Sequence, residues 1–248
     1  MFFFKKKLTP INELFPNSFV DIHSHLLPGI DDGAKTLEDS IFLIKKMKSF
    51  GIKNIITTPH ILGTFWPNTP EIINDKLALV KNELLNQHIT DVNLSAAAEY
   101  MLDERFMKLL YEKKLLTIKD NYVLIELSYV NPPENIFDLI FEIQTNGYIP
   151  ILAHPERYIF YHYNFKNYKK LKDLGCYFQL NLLSLTEYYG REVYSTAIQL
   201  LKNNLIDFAG TDTHNDIHLK KLKELGTAKN VKLLKPLLLK NNLFNNFN

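Results

Sequence analysis

The sequence predicts an α/β fold in which parallel strands alternate with crossover helices. Short apolar runs alternate with longer amphipathic stretches almost from end to end, and they make seven strand-then-helix units. No Gly-, Ser- or Pro-rich linker divides the 248 residues, and 46% of them are hydrophobic, enough for a substantial core. A closed or nearly closed barrel accounts for seven units, and an open doubly wound sheet is the competing architecture.

The seven predicted strands are short, apolar and often β-branched, as expected for parallel strands that are buried on both faces. They span residues 19–25, 54–59, 92–98, 122–127, 149–153, 176–182 and 206–210. Helical periodicity predicts helices over residues 37–50, 70–87, 104–114, 134–146, 165–174 and 187–203. For the first helix, Thr36 is the predicted N-cap, with Asp39 three residues later, and Gly51 is the predicted C-cap.

Charge and targeting signals indicate neither a nucleic-acid partner nor membrane insertion. The formal net charge is +2, and no stretch approaches the roughly 20 apolar residues of a membrane-spanning helix. The first seven residues place apolar side chains before charged ones, the reverse of a secretory signal. The single cysteine, Cys176, excludes an internal disulfide. These observations predict a cytoplasmic protein.

Residues that bind metals cluster where the predicted strands end. Residues two apart in a strand face the same side, so neighbouring motif residues project together. The carboxyl ends of the strands in a parallel barrel open at one end, so these side chains should converge on one pocket. The candidates are His23, His25, Asp31 and Asp32 at and after the first strand, His60 after the second, Glu99 after the third, His154 after the fifth, and Asp212 and His214 after the seventh.

The residue types at these positions indicate a metal centre. Imidazoles and carboxylates are the usual ligands of Zn, Mn or Fe, and the candidates outnumber the needs of one four-coordinate ion. The sequence therefore predicts two or three bound ions. The other histidines, His88, His162 and His218, lie in predicted helices or loops and are interpreted as structural or solvated.

Arg157 follows His154 by three residues, and a guanidinium group is suited to bidentate phosphate recognition. We interpret Arg157 as a phosphate-binding residue; the alternative is an ion pair with Glu156. Cysteine-based phosphatase chemistry is excluded, because Leu182 stands six residues after Cys176, where that chemistry requires an arginine. Dinucleotide, phosphate-loop and Gly-x-Ser-x-Gly motifs are absent.

Six short motifs occur in a fixed order along the chain from about Phe19. They are DIHSHLLPGIDDG at 21–33, TTPH at 57–60, AEY at 98–100, IELS at 125–128, AHPERY at 153–158 and GTDTHN at 210–215. Their order and placement resemble the PHP (polymerase and histidinol phosphatase) superfamily. More narrowly, the chain is similar to the bacterial manganese-dependent tyrosine-protein phosphatases of the CpsB/CapC/YwqE type.

The resemblance implies the PHP fold, a distorted TIM-like β/α barrel with seven parallel strands, as a single domain over residues 1–248 with an N-terminal extension at 1–18. It implies two or three metal ions, Mn²⁺ before Fe, Zn or Mg. Arg157 and Asp32 are the implied catalytic residues. The implied ligands are His23, His25, Glu99 and Asp212 for one ion, Glu99 and His154 for a second, and Asp32, His60 and His214 for a third.

Two segments differ from related families. Glu126-Leu127-Ser128 stands where sister families place a further histidine, so the second ion is expected to rely on water or to be weakly held. His218-Leu219-Lys220 stands where some of these phosphatases have a second arginine.

The activity that the resemblance implies is hydrolysis of phosphotyrosine by a metal-activated hydroxide, in the regulation of capsule or exopolysaccharide synthesis. The implied partner is a phosphotyrosine protein, the tail of a bacterial tyrosine kinase. An aryl leaving group with a pKa of about 10 needs less acid assistance than an alkyl alcohol, which suits a site without an obvious general acid. The alternatives are a small-molecule phosphatase, such as a histidinol-phosphate phosphatase, and a catalytically silent binding domain.

Overall fold

Nine short parallel strands form two sheets within residues 8–245, the part of the chain that the computed structural model describes. The strands are β1 (Val20–Asp21), β2 (Asn54–Thr57), β3 (His60–Ile61), β4 (Asn93–Ala96), β5 (Glu99–Met101), β6 (Tyr122–Glu126), β7 (Ile149–Ala153), β8 (Tyr177–Asn181) and β9 (Phe208–Gly210). One sheet has the order β1-β2-β4, and the other has the order β3-β5-β6-β7-β8-β9. The predicted α/β fold with parallel strands is confirmed.

Two of the seven predicted strands are each followed by a second short strand that was not predicted, so the described residues contain nine strands. The predicted strand 54–59 becomes β2 and is followed by β3, and the predicted strand 92–98 becomes β4 and is followed by β5. Pro59 lies at the first break and has no N–H group to donate to a sheet. The added strands β3 and β5 lie side by side, and the Glu99 N–H donates to the Pro59 carbonyl oxygen at 3.1 Å where they begin.

The segments that follow the first and last strands also meet. Ser24 and Thr213 form a parallel bridge. The Asp212 N–H donates to the His23 carbonyl oxygen at 2.7 Å, and the His25 N–H donates to the Thr213 carbonyl oxygen at 2.9 Å. Two motifs that are almost 190 residues apart in sequence are therefore joined through their backbones.

Nine α-helices follow or connect the strands within residues 8–245. They are α1 (Leu37–Ser49), α2 (Pro70–Asn86), α3 (Glu104–Tyr111), α4 (Ile136–Thr145), α5 (Ile159–His162), α6 (Phe165–Asp173), α7 (Arg191–Lys202), α8 (Asp216–Leu222) and α9 (Ala228–Lys240). The predicted start of α1 is confirmed, because Thr36 and Asp39 form a capping box. Helices α5, α8 and α9 were not predicted.

Most of the strands are buried on both faces, as their apolar sequences predicted, whereas β4 has only Leu94 buried. In β6, Leu124 joins the smaller of two apolar clusters, whereas Val123 and Ile125 join the larger one. Residues on alternate sides of a strand thus pack into different parts of the core. The parallel direction of the strands leaves their carboxyl ends, which carry the polar motifs, on one side of the fold.

No helix in the described part of the chain is long and apolar enough to span a bilayer. Of the predicted N-terminal extension, residues 1–7 lie outside the described residues. The remainder packs on the fold, with Leu14 and Phe15 buried and the Thr9 N–H donating to the Gly226 carbonyl oxygen at 2.8 Å.

Candidate metal centre

The polar residues at the strand ends meet in one cluster. Within each of four groups, the potential ligand atoms all lie within 4.8 Å of one another. All eight residues predicted as metal ligands belong to these groups, and most of their side chains are buried. The groups are His25, Asp32, His60 and His214; His23, His154 and Asp212; His23, His25 and Glu99; and His60, Glu99 and Glu126.

Glu99 lies at the centre of the cluster. Its Oε2 is 3.1 Å from His23 Nε2 and 3.4 Å from His25 Nε2. The same oxygen is 3.2 Å from His60 Nδ1, and Oε1 is 3.0 Å from His154 Nε2. The register of β3 and β5, which pairs His60 with Glu99, accounts for one of these contacts. A carboxylate within reach of four imidazoles is suited to bridge neighbouring cations.

Asp212 is the second buried carboxylate of the cluster. Its Oδ1 lies 3.2 Å from His23 Nε2 and 3.4 Å from His25 Nε2. Its Oδ2 accepts hydrogen bonds from Arg157 Nη1 at 3.1 Å and from Asn181 Nδ2 at 2.6 Å. The backbone of Asp212 has φ +49°, a left-handed conformation that costs a non-glycine residue on the order of 1–3 kcal/mol. The backbone bond to His23 helps to hold this conformation.

A third carboxylate, Asp32, lies at the open side of the cluster. Its Oδ1 is 3.6 Å from His60 Nε2 and 3.4 Å from His214 Nε2. The ring of His214 stacks on His25 with centroids 3.9 Å apart. The side chain of Asp32 is 47% exposed, in contrast to the buried Glu99. Asp32 therefore faces solvent at the mouth of a cavity of about 480 Å³.

Glu126 is a member of the cluster that the sequence analysis did not assign. It ends β6 and is buried, with Oε1 3.0 Å from His60 Nδ1. That ring nitrogen is also buried and makes no hydrogen bond, although carboxylates of Glu126 and Glu99 lie within 3.2 Å of it. A buried nitrogen between two carboxylates fits a shared cation. The motif at the end of the fourth predicted strand therefore contributes the carboxylate of Glu126 to the cluster, although the sequence analysis expected no ligand from this segment.

Two further side chains hold the histidine rings in orientation. Asp31 Oδ2 lies 2.8 Å from His25 Nδ1, and its Oδ1 accepts the Gly33 N–H at 2.9 Å. Gln179 Oε1 lies 2.8 Å from His23 Nδ1. In both histidines the Nδ1 side is engaged in this way, so Nε2 is directed into the cluster, as for metal-binding histidines in general.

The charges of the cluster attract cations. Burial disfavours a charged His23, but Glu99 and Asp212 outweigh it and raise the pKa of His23 to about 10. Burial and the neighbouring Arg157 lower the pKa of His154 to about 4, so that this ring is neutral. Burial would raise the pKa of Glu99, yet His23 and His60 hold it well below its usual value. The ligand types and charges fit divalent Mn, Fe or Zn.

Chelated, metal-free protein is expected to lose stability as pH rises from about 7 to about 10. The pKa of His23 rises from 6.5 to about 10 on folding, so over this range the folded chain holds more protons than the unfolded chain. Added Mn²⁺ is expected to remove most of this loss, because a cation replaces the bound proton. Thermal melts with chelator and with Mn²⁺ across this range measure both effects. Chelated protein whose melting temperature rises with pH here would contradict the assignment.

Arg157 lies beside the cluster and lines the same cavity. The alternative ion pair with Glu156 is not formed. The Glu156 carboxylate instead accepts the Asn181 N–H at 3.0 Å and the Ser184 hydroxyl at 2.7 Å, while Arg157 pairs with Asp212. Glu156 is thus bonded within the fold, and Arg157 remains at the cavity.

The three histidines outside the predicted ligand set occupy different places. His162 Nε2 bonds the Glu156 carbonyl oxygen at 2.7 Å, which agrees with the predicted structural role. His88 lies in a left-handed turn after α2. His218 lines the cavity, and its Nδ1 lies 3.0 Å from the Asp212 carbonyl oxygen. It therefore supports the strained turn at Asp212 from outside the cluster.

Residues 19–230 match the family described as capsular polysaccharide synthesis, CpsB/CapC. The chain belongs to the CpsB/CapC family. The match begins with the first predicted strand and extends beyond the last motif, so it includes every residue of the metal cluster.

Curated members of the CpsB/CapC family align over most of the chain. It is 30% identical over 197 residues to the tyrosine-protein phosphatase YwqE of Bacillus subtilis (strain 168), covering 79% of this chain and 77% of that protein. It is 32% identical over 199 residues to the putative tyrosine-protein phosphatase CapC of Staphylococcus aureus, with the same coverage. It is 30% identical over 204 residues to the tyrosine-protein phosphatase CpsB of Streptococcus pneumoniae, covering 79% and 83%.

Solved structures support the same relationship. One from work on Bacillus subtilis YwqE and Streptococcus pneumoniae CpsB, described as unique metal-dependent tyrosine phosphatases, superposes with a TM-score of 0.81 at 28% identity, covering 91% of this chain and 93% of that one. The histidinol phosphate phosphatase of Lactococcus lactis superposes with a TM-score of 0.52 at 14% identity, covering 89% and 94%. The second likeness shows a shared fold alone.

Proposed function

We propose that this member of the CpsB/CapC family is a metal-dependent protein-tyrosine phosphatase that regulates capsule or exopolysaccharide synthesis. The observation that carries the proposal is the convergence of histidines and carboxylates on Glu99, with Arg157 at the edge of the same cavity. The functions named for YwqE, CapC and CpsB agree with it.

We propose that these residues hold two or three neighbouring ions, Mn²⁺ first, with Fe, Zn or Mg as alternatives. The contacts of Glu99 with four histidines support a bridging role. Ions bound at these positions would supply Lewis acidity and would lower the pKa of water toward neutrality. The proposed ligands are His23, His25, Glu99 and Asp212 for the first ion, Glu99 and His154 for the second, and Asp32, His60 and His214 for the third. Glu126 is a further proposed ligand beside His60 and Glu99.

Arg157 and Asp32 are the proposed catalytic residues. The guanidinium group of Arg157 donates N–H groups to the phosphoryl oxygens and stabilises the charge that develops on them in the transition state. The exposed carboxylate of Asp32 faces the cavity and helps to place the attacking water. The leaving tyrosyl oxygen departs without a strong acid because its conjugate acid has a pKa of about 10.

The finer features of the fold belong to the same proposal. The backbone bonds between the added strands β3 and β5, and those between the segments after β1 and β9, support one distorted seven-stranded barrel. We infer a single PHP-type domain over residues 1–248, working in the cytoplasm on the phosphotyrosine tail of a bacterial kinase. The aromatic side chains of Trp66 and Tyr188, which line the cavity, suit an aryl phosphate.

Phosphate release from a phosphotyrosine peptide and from histidinol phosphate, with Mn²⁺ and with chelator, tests the function. We expect Mn²⁺-dependent release from the peptide and little from histidinol phosphate. Preference for histidinol phosphate would indicate that the protein is a small-molecule phosphatase and not a protein-tyrosine phosphatase. The absence of release from both substrates, with metal bound, would contradict the phosphatase assignment.

A further inference from the structure

The guanidinium group of Arg157 packs over two tyrosine rings. Its Cζ is 4.7 Å from the ring centroid of Tyr129 and 4.2 Å from that of Tyr189. Both distances fall within the range of a favourable cation–π contact. The two aromatic rings come from different parts of the chain, one after β6 and the other before α7. A cation held over two rings is less free to move than one in solvent.

Each ring is itself connected to the metal cluster. The hydroxyl of Tyr189 accepts a hydrogen bond from Asn181 Nδ2 at 3.1 Å, and the same amide donates to Asp212 Oδ2 at 2.6 Å. The ring of Tyr129 stacks on His154, with centroids 5.8 Å apart and planes inclined by 25°. Movement of either ring would therefore disturb both Arg157 and a residue of the cluster.

One nitrogen of the guanidinium group is used in an ion pair, which leaves the N–H groups of the others to bind phosphate. Nη1 donates to Asp212 Oδ2 at 3.1 Å, and this is the one ion pair that Arg157 forms within residues 8–245. The side chain is 21% exposed and lines the cavity. An arginine binds phosphate through the N–H groups on its edge, and contact with two rings does not use those donors in hydrogen bonds. The N–H groups that do not pair with Asp212 therefore remain suited to bind phosphate.

We propose that Tyr129 and Tyr189 are positioning residues that clamp Arg157 so that its edge is presented to the phosphoryl group. The inference rests on the proposed function, since it takes Arg157 as the phosphate-binding residue. A long side chain ordered in advance loses less conformational entropy when substrate binds, so the clamp strengthens phosphate binding without contributing an atom to the reaction. The two tyrosines act through Arg157 and not on the substrate itself.

A double-mutant cycle tests the clamp. Tyr129 and Tyr189 are each replaced by Leu, which keeps apolar volume without a π face, and by Phe, which keeps the ring. Each variant is made with Arg157 and with Arg157→Ala. The measurements are kcat and KM for p-nitrophenyl phosphate, and the dissociation constant of inorganic phosphate from Mn²⁺-loaded protein, with metal content checked for every variant.

The Leu variants are expected to raise KM and the phosphate dissociation constant by about 5- to 30-fold, with a smaller change in kcat. The Phe variants should stay within about threefold of the parent, because the ring is retained. In the Arg157→Ala background, the Leu substitutions should have no further effect. Tyr163→Leu is the matched control, since Tyr163 is 87% exposed and lies outside the cavity.

Equal effects of the Leu substitutions with and without Arg157 would overturn the clamp and leave the phosphatase proposal standing. If the parent protein hydrolyses no phosphate monoester but binds inorganic phosphate, the phosphatase proposal fails, and the phosphate titrations alone decide on the clamp. A parent protein that binds no phosphate with Mn²⁺ loaded would overturn both.

Discussion

Replacing Glu99 by Gln is expected to lower kcat/KM for an aryl phosphate by about a thousandfold or more. The substitution keeps the shape of the side chain but removes the negative charge that faces His23, His25, His60 and His154. The bridging position would then bind divalent ions weakly, and the histidines would lose the carboxylate that favours a cation among them. Metal content after dialysis is expected to fall together with activity.

The comparison for Glu99→Gln is Glu192→Gln, the same chemical change at an exposed position on α7. It should leave metal content and rate unchanged. Glu126→Gln, measured beside it, should lower metal content by less than Glu99→Gln, because Glu126 approaches one histidine of the cluster. Full activity of Glu99→Gln at saturating Mn²⁺ would show that the cluster is not the catalytic centre.

Arg157→Lys is expected to lower kcat/KM by about 100-fold, although the positive charge is kept. An ammonium group cannot present a flat pair of N–H donors to phosphate, and it cannot stack on Tyr129 and Tyr189 as a planar group can. Metal content should remain near that of the parent, since Arg157 contacts Asp212 from outside the histidine groups.

Parallel kinetics and metal analysis separate the two effects for Arg157→Lys. A loss of activity with normal metal content would place the defect in phosphate recognition. An equal loss of metal would mean that the pair between Arg157 and Asp212 supports the cluster instead. A rate within about twofold of the parent would contradict a role for Arg157 in phosphate binding.

The sequence could predict most of the cluster because its ligands follow directly on apolar strands. His23, His60, His154 and Asp212 each stand at or just after the end of such a run. In a parallel fold, this position alone brings distant residues together. The strand count was harder to predict, because the break at Pro59 leaves the apolar pattern of 54–61 intact while it divides the hydrogen bonding between two sheets.

Glu126 shows where the sequence was insufficient. A carboxylate at a strand end can face solvent, form an ion pair or bind a metal, and the face of the strand on which it lies depends on the register. The pairing of β5 with β6 turns Glu126 toward His60. The roles of Gln179 and Asp31 could not be predicted for the same reason. Each depends on a contact with a histidine Nδ1 that only the tertiary structure shows.

The sequence by itself determined the α/β class, the family resemblance and the eight candidate ligand positions, since these follow from local patterns along the chain. The tertiary structure alone decided that Glu99 is central, that Glu126 joins the cluster, and that Arg157 pairs with Asp212 and packs over two tyrosine rings. Those contacts join residues many positions apart, and their distances depend on strand register and backbone strain. Neither strand register nor backbone strain can be predicted from local sequence patterns.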